Sequence, residues 1–319
     1  MIDTPAFLDS HRPDVPDLVV PGGITPFHLG DSPVRGRLVR LGQLADVMLT
    51  RHDNEDAVSR LSGQALALVA GLASALKFQG SFALQVKGDG PVTMLLADCT
   101  DAGSLRFYAR ANVERLAALL DTGPAEDSTL LGEGYIAFTV DQGPDTERHQ
   151  GIVDIARGSL SDMAMHYFET SEQHACWVRL TCDLTPSGWR ASALILERIA
   201  AGGGTDIPAM PEDDAAAQDA WETALALAST VTDAELLSDA LTPERIIHRL
   251  FHSLTPHLDH PRALAFGCRC SRARLSGILE TFAQDDLDHM AVDGDIVMTC
   301  EFCAVDFRFP REDIGRHSA

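Results

Sequence analysis

Apolar residues recur along this chain at two different periods, and the changes of period divide it. Residues 53–76 carry Val58, Leu61, Ala65, Leu68, Val69, Leu72 and Leu76 at helical spacing, which predicts a long helix with one broad buried face, ended by Lys77-Phe78-Gln79-Gly80. The period then drops to two. Phe82, Leu84 and Val86 alternate with other residues, Gly88-Asp89-Gly90-Pro91 supplies a turn, and residues 92–96 return as a hairpin partner. Residues 34–41, 105–110, 135–140, 150–155, 176–182 and 189–199 read as further strands, the last two joined across Thr185-Pro186-Ser187-Gly188. Gly132 and Gly134 have no following helix and no full dinucleotide fingerprint, so they read as a turn. One amphipathic helix, 159–168, interrupts the strands with Leu160, Met163, Ala164, Tyr167 and Phe168 on one side. Hairpins broken by a few helices, rather than alternating βαβ units, predict an α+β domain on a mainly antiparallel sheet.

Both flanks of this pattern differ from it. Residues 1–30 hold prolines at 5, 13, 16, 21 and 26 and read as a mobile lead-in, so the core domain is placed at 31–205. After Gly202-Gly203-Gly204 the pattern turns helical and acidic, with ten acids against three bases over 212–262, so 206–262 reads as a helical linker. Thr232 with Glu235 has capping-box spacing, and Thr242-Pro243 places an N-cap before a proline at the first helical position. Trp221, Leu225 and Ala228 form one apolar stripe; Ile246, Ile247, Leu250, Phe251 and Leu254 form another. Helices this short need something to dock on.

The last segment, 263–319, reads as a separate small module. Four of the seven cysteines lie in it, as Cys268-x-Cys270 and Cys300-x-x-Cys303. Each close pair can supply one edge of a tetrahedral thiolate site, and four thiolates suit Zn2+. Between the pairs, 271–283 is a helix candidate, Asp293-Gly294 a turn and 295–298 a strand, with 303–309 as its hairpin partner. Arg269, Arg272 and Arg274 lie on or just after the first pair, where cations favour nucleophilic thiolates. Such sulfurs can oxidise to sulfenic acid and then to a disulfide with a nearby cysteine, at the expense of the metal. A module this small has little core, so metal loss should unfold it. A structural zinc ribbon shares most of these features, and the pattern leaves that alternative open.

Charge narrows the partners. With 47 acids against 25 bases the formal charge is −22, which disfavours nucleic acid and anionic membranes as partners. No secretory signal is read at residues 1–33, no apolar run reaches membrane-spanning length, and closely spaced unpaired cysteines suit a reducing cytoplasm. Cys99, Cys176 and Cys182 carry no motif and read as small buried thiols, with Cys176 and Cys182 on one side of their strand. His289 and His317 are spare donors beside a complete four-sulfur set; His248, His252, His257 and His260 read as surface residues. Ser171-Glu172-Gln173 has no matched His and Asp, and no nucleophile–base pair, phosphate loop or paired carboxylate stands out, so turnover is not expected. A thiol–disulfide oxidoreductase built on Cys300 and Cys303 would need a βαβ setting that the pattern lacks.

Taken together, these residues resemble the Hsp33 family of redox-regulated chaperones. The resemblance rests on the two cysteine pairs with 29 residues between them, Gly267, Ser271-Arg272 and Asp293-Gly294-Asp295. Upstream it includes Val34-Arg35-Gly36, Lys77-Phe78-x-Gly80, Gly88-Asp89-Gly90-Pro91, Gln150-Gly151-Ile152-Val153, Tyr167-Phe168 and Ser171-Glu172-Gln173, in order from about residue 26 to 309. The proline-rich start and the three extra cysteines depart from it. The resemblance implies a cytosolic, ATP-independent holdase, inactive while reduced with one Zn2+ on Cys268, Cys270, Cys300 and Cys303. It implies that oxidation forms Cys268–Cys270 and Cys300–Cys303 disulfides, releases zinc, favours a homodimer and unfolds the linker, exposing apolar surface that captures unfolding clients. Trp221, Leu225, Ile246, Ile247, Leu250, Phe251 and Leu254 are the candidate client-contacting residues, taken from the pattern alone.

Overall fold

A strand that alternates apolar and polar residues buries one face; a strand apolar at successive positions must be covered on both. Both kinds occur here. The computed structural model describes residues 18–75, 80–142, 149–173, 175–199 and 214–314, which fall into two compact units, 18–266 and 267–314.

The larger unit is built on an eleven-stranded sheet. Its strands are β1 (Val19–Leu29), β2 (Val34–Arg40), β3 (Ser81–Gly88), β4 (Val92–Thr100), β5 (Ser104–Ala111), β6 (Gly134–Asp141), β7 (His149–Asp154), β8 (Cys176–Thr185), β9 (Gly188–Arg198), β10 (Pro256–Leu258) and β11 (Arg262–Phe266). Their order is β7-β6-β3-β4-β5-β11-β1-β2-β9-β8, with β10 pairing to β1. Only β11 with β5 is parallel. The expected α+β class on a mainly antiparallel sheet is the one that forms.

Helices cover the two faces differently. α1 (Gln43–Leu49), α2 (Asp56–Ala73), α3 (Val113–Leu120), α4 (Asp127–Leu131) and α5 (Leu160–Thr170) belong to one side. There Leu61, Leu68 and Met163 meet Leu84, Phe107, Phe138 and Ile195 in the main core. α6 (Asp214–Ala228), α7 (Asp233–Leu237) and α8 (Pro243–Phe251) cover the other side. Trp221, Ile246, Ile247, Leu250 and Phe251 pack there with Phe27, Leu29, Val34, Leu38, Leu194 and Leu196. Double cover explains β9, in which every residue from 189 to 197 is buried.

The local signals for these helices are visible in their caps. Ser159 and Asp162 close a capping box on α5, and Thr232 and Glu235 close one on α7. Thr242 caps α8, with Pro243 at its first turn. Asn112 accepts from the Arg115 amide and starts α3, a helix the apolar pattern did not announce.

Three expectations differ from what forms. Residues 19–29 are not a lead-in but the strand β1, paired to β2, β10 and β11. Pro21 falls where the β1–β11 register shifts, so no ladder amide is missed there; Pro26 lies opposite Arg37 of β2, and its carbonyl accepts from the Asp259 amide. The stretch expected to be a helical linker, 206–262, also contains the strand β10, and β11 carries the larger unit past the expected boundary at 263, because Arg262–Phe266 joins the sheet between β5 and β1. The long helix of 53–76 is the shorter α2, preceded by α1; its expected stop at 77–79 lies outside the described residues.

The smaller unit holds α9 (Arg272–Leu279), α10 (Gln284–Met290) and the hairpin of β12 (Asp295–Thr299) with β13 (Asp306–Pro310). The single helix expected at 271–283 therefore ends at Leu279, and a second begins at Gln284 with Asp285 and Asp286 in its first turn, where the helix dipole favours acids. Asp293 (φ 53°) and Gly294 (φ 88°) turn the chain from α10 into β12, with Val292 and Asp295 exchanging both backbone bonds. Arg311 ties the end of the hairpin to α10 through Asp288 at 2.7 Å and the Gln284 side chain at 2.8 Å.

Candidate metal centre

Two tight backbone turns carry the four cysteines of the smaller unit. Cys268 and Cys270 lie just before α9, whose N-cap Ser271 accepts from the Arg274 amide and fixes the exit of the chain. Cys300 ends β12. Its carbonyl accepts from the amides of both Cys303 and Ala304, and its own amide donates to the Val305 carbonyl. That winding needs Ala304 at φ 52°, the left-handed region. The return to β13 follows at once, with Thr299 opposite Asp306.

The turns bring all four sulfurs within 4.8 Å of one another. Sγ of Cys268 lies 3.3 Å from that of Cys270 and 3.6 Å from that of Cys300; Cys270 and Cys303 are 3.6 Å apart. None of the pairs is a disulfide. A tetrahedron of metal–sulfur bonds of about 2.3 Å has edges of about 3.8 Å, so the donor set fits a tetrahedral thiophilic ion. Cys303 is fully buried, and Cys268 and Cys300 nearly so. Among the described residues no other cluster of three or more Cys, His, Asp or Glu donors forms.

Hydrogen bonding from Cys270 leads the causes that lower Cys268 to about 7, and Cys268 leads those that lower Cys300. The same neighbours push Cys270 and Cys303 up, again with Cys268 first. Arg272 lies over the Phe309 ring, 4.4 Å from its centroid. A dication held by Cys268, Cys270, Cys300 and Cys303 would stabilise all four as thiolates.

The remaining cysteines behave as expected of buried thiols. Burial pushes Cys182 up to about 12 and raises Cys176 as well, and both pack on the main core side of β8. Cys99 is buried in β4. His289 meets the Asp285 carbonyl of its own helix at 2.5 Å. His317 lies outside the described residues. His248, His252, His257 and His260 are exposed, His248 stacked on His252 and His257 on His28. Cys300 and Cys303 open a hairpin turn, not a helix N-terminus, so the setting that activates thioredoxin-type cysteines is missing.

The stripe residues gather into a second apolar cluster. Trp221, Ile246, Ile247, Leu250 and Phe251 are buried, and Leu225 and Leu254 partly so, against the sheet face of β1, β2 and β9. The Phe251 ring lies 5.5 Å from that of Phe27. Pattern analysis had found the stripes but not the face they cover.

The sequence matches the family model described as Hsp33 protein over residues 23–310. The chain belongs to the Hsp33 family. It is 36% identical over 290 residues to the 33 kDa chaperonin of Caulobacter vibrioides strain NA1000 / CB15N, covering 88% of this chain and 92% of that one. It is 32% identical over 292 residues to the 33 kDa chaperonin of Pseudomonas fluorescens, covering 91% of each. The crystal structure of the 33 kDa chaperonin of Thermotoga maritima has the same fold, with a TM-score of 0.75 at 19% identity over 92% of this chain and 96% of that one. As a member of this family the chain is a chaperone, and its four-cysteine cluster is compatible with a bound metal.

Proposed function

We propose that this Hsp33-family chain is a redox-regulated holdase of the cytoplasm that works without ATP. The observation that carries the reading is the quartet of reduced sulfurs gathered within 4.8 Å in a unit with little else to hold it together. Zinc on Cys268, Cys270, Cys300 and Cys303 would neutralise the thiolates and fix both turns. A cytoplasmic setting agrees with unpaired cysteines, and no helix among the described residues is long and apolar enough to cross a membrane.

Oxidation works on the chain's own sulfurs. A thiolate attacks one oxygen of hydrogen peroxide, becoming a sulfenic acid as hydroxide leaves; the second thiol of the pair attacks that sulfur and expels water. Each disulfide thus costs two thiol hydrogens and reduces one peroxide to two waters. The pairs assigned are Cys268–Cys270 and Cys300–Cys303, which keep each linkage within one turn and leave no thiolate set for the ion. The smaller unit then loses its fold, and the linker, 206–262, undocks. Trp221, Leu225, Ile246, Ile247, Leu250, Phe251 and Leu254 and the sheet face beneath them become available to unfolded or partly unfolded clients. The oxidised form is assigned as a homodimer, with neither nucleic acid nor membrane as a partner.

Zinc content and suppression of client aggregation, measured side by side before and after peroxide at mildly raised temperature, test this. The reduced protein should hold about one zinc per chain and fail to suppress; the oxidised protein should hold none and suppress. Zinc loss without a gain in suppression would refute the coupling.

A further inference from the structure

The face beneath α6–α8 is apolar at its centre and cationic at its rim. Strand alternation puts Arg40 on the same side as Leu38, Arg179 with Trp177, Arg190 with Leu194, and Arg198 with Leu196. All four reach oxygens of the segment that covers the face. Arg190, nearly buried, grips Asp239 with Nη2 at 2.9 Å and Nε at 3.0 Å. Arg179 meets Asp233 at 2.8 Å. Arg40 donates to the carbonyls of Ser238 and Leu241. Arg198 donates to Gln218 at 2.6 Å. Hydrogen bonds from Arg190 hold Asp239 below the usual carboxylate range. The covering segment is complementary: apolar at Ile246, Ile247, Leu250 and Phe251, acidic at Asp233 and Asp239, which meet rim arginines, and at Glu244 beside Arg40. Glu235 pairs instead with Arg249 of α8 and closes the α7 capping box.

We propose that this face selects client segments that pair an apolar stretch with flanking carboxylates, and that α7 and α8 occupy it as an internal stand-in for such a client. This rests on the proposed uncovering of the face. Guanidinium groups suit the role because their planar fork pairs a carboxylate through two bonds, which fixes register as well as charge. Centre and rim then do different work: apolar burial supplies affinity, and the arginines sort segments by charge. A chain carrying −22 overall repels acidic polypeptides at long range, so the preference belongs to this face at contact distance.

The test uses the full-length oxidised protein and a synthetic peptide of residues 230–254. A second peptide carries Asp233→Asn, Asp239→Asn and Glu244→Gln. The acidic peptide should bind about tenfold more tightly at low salt, and the gap should close near about 0.5 M salt. In a protein carrying Arg179→Gln and Arg190→Gln the gap should vanish while the amide peptide binds as before. If aggregation is suppressed but both peptides bind equally, or neither binds, the selectivity is refuted and the holdase reading stands. If the oxidised protein neither binds peptide nor suppresses aggregation, the holdase reading falls, and this proposal falls with it.

Discussion

Ala304 sits in backbone that a residue with a Cβ enters at a cost. Its φ of 52° is what lets the Cys300 carbonyl accept two successive amides and bring Cys303 round to the other sulfurs. The left-handed region costs an alanine about 1–2 kcal/mol relative to glycine, while glycine loses about 0.4–1 kcal/mol through its freer unfolded chain. Ala304→Gly should therefore tighten the turn by a net of about 0.5–1 kcal/mol. The measurement is the rate of zinc transfer to a chromogenic chelator under reducing conditions, expected to fall severalfold. A faster transfer would mean that the alanine side chain contributes packing that outweighs its strain. The same residue shows why the site was legible from sequence: both cysteine pairs are local, and the geometry of a turn is decided within five residues.

At the scale of elements, the informative unit is α8. Its last buried residue, Phe251, is fully enclosed between the helix and Phe27 of β1. Phe251→Ala removes that contact and leaves a void, at a cost of about 3–5 kcal/mol. Most of the loss falls on docking of α6–α8, because the residues around Phe251 are shared between those helices and the sheet. Under the proposed function, the variant should slow client aggregation while still reduced and zinc-loaded, and hydrogen exchange over 243–251 should rise while 61–72 stays protected. Raised exchange with no change in suppression would separate the cover from the activity. The stripes on these helices could be read from their periodicity, as could the hairpins β3–β4 and β8–β9. Their partner could not, because the docking face joins β9 to β1 and β2, from which it is far removed in the chain. β1 was hidden for a different reason: a proline breaks a strand unless its missing amide falls where the ladder needs no donor, as at the register shift beside Pro21, and that is set by tertiary pairing. α10 was hidden because 284–290 buries only Leu287, too little for a periodic signal.

For the molecule as a whole, the two units differ in what holds them together. The larger has an extended apolar cluster on each side of its sheet. The smaller has Leu279, Leu287, Ile296, Val305, Phe307, Phe309 and Ile314 and, beyond these, the sulfur quartet. A core of that size barely offsets the conformational entropy of ordering its own chain, so under the proposed function a metal on the four sulfurs would supply much of the balance. Removing it without oxidation separates the two contributions. A high-affinity zinc chelator under reducing conditions should abolish exchange protection in 272–310 while leaving 189–197 and 61–72 protected, and thermal unfolding should still show the transition of the larger unit. Restoring zinc should restore protection, since no covalent bond has changed. Protection that persists across α9, α10, β12 and β13 after the metal has gone would show that seven apolar residues suffice for this unit, and oxidation would then need a different route to the linker.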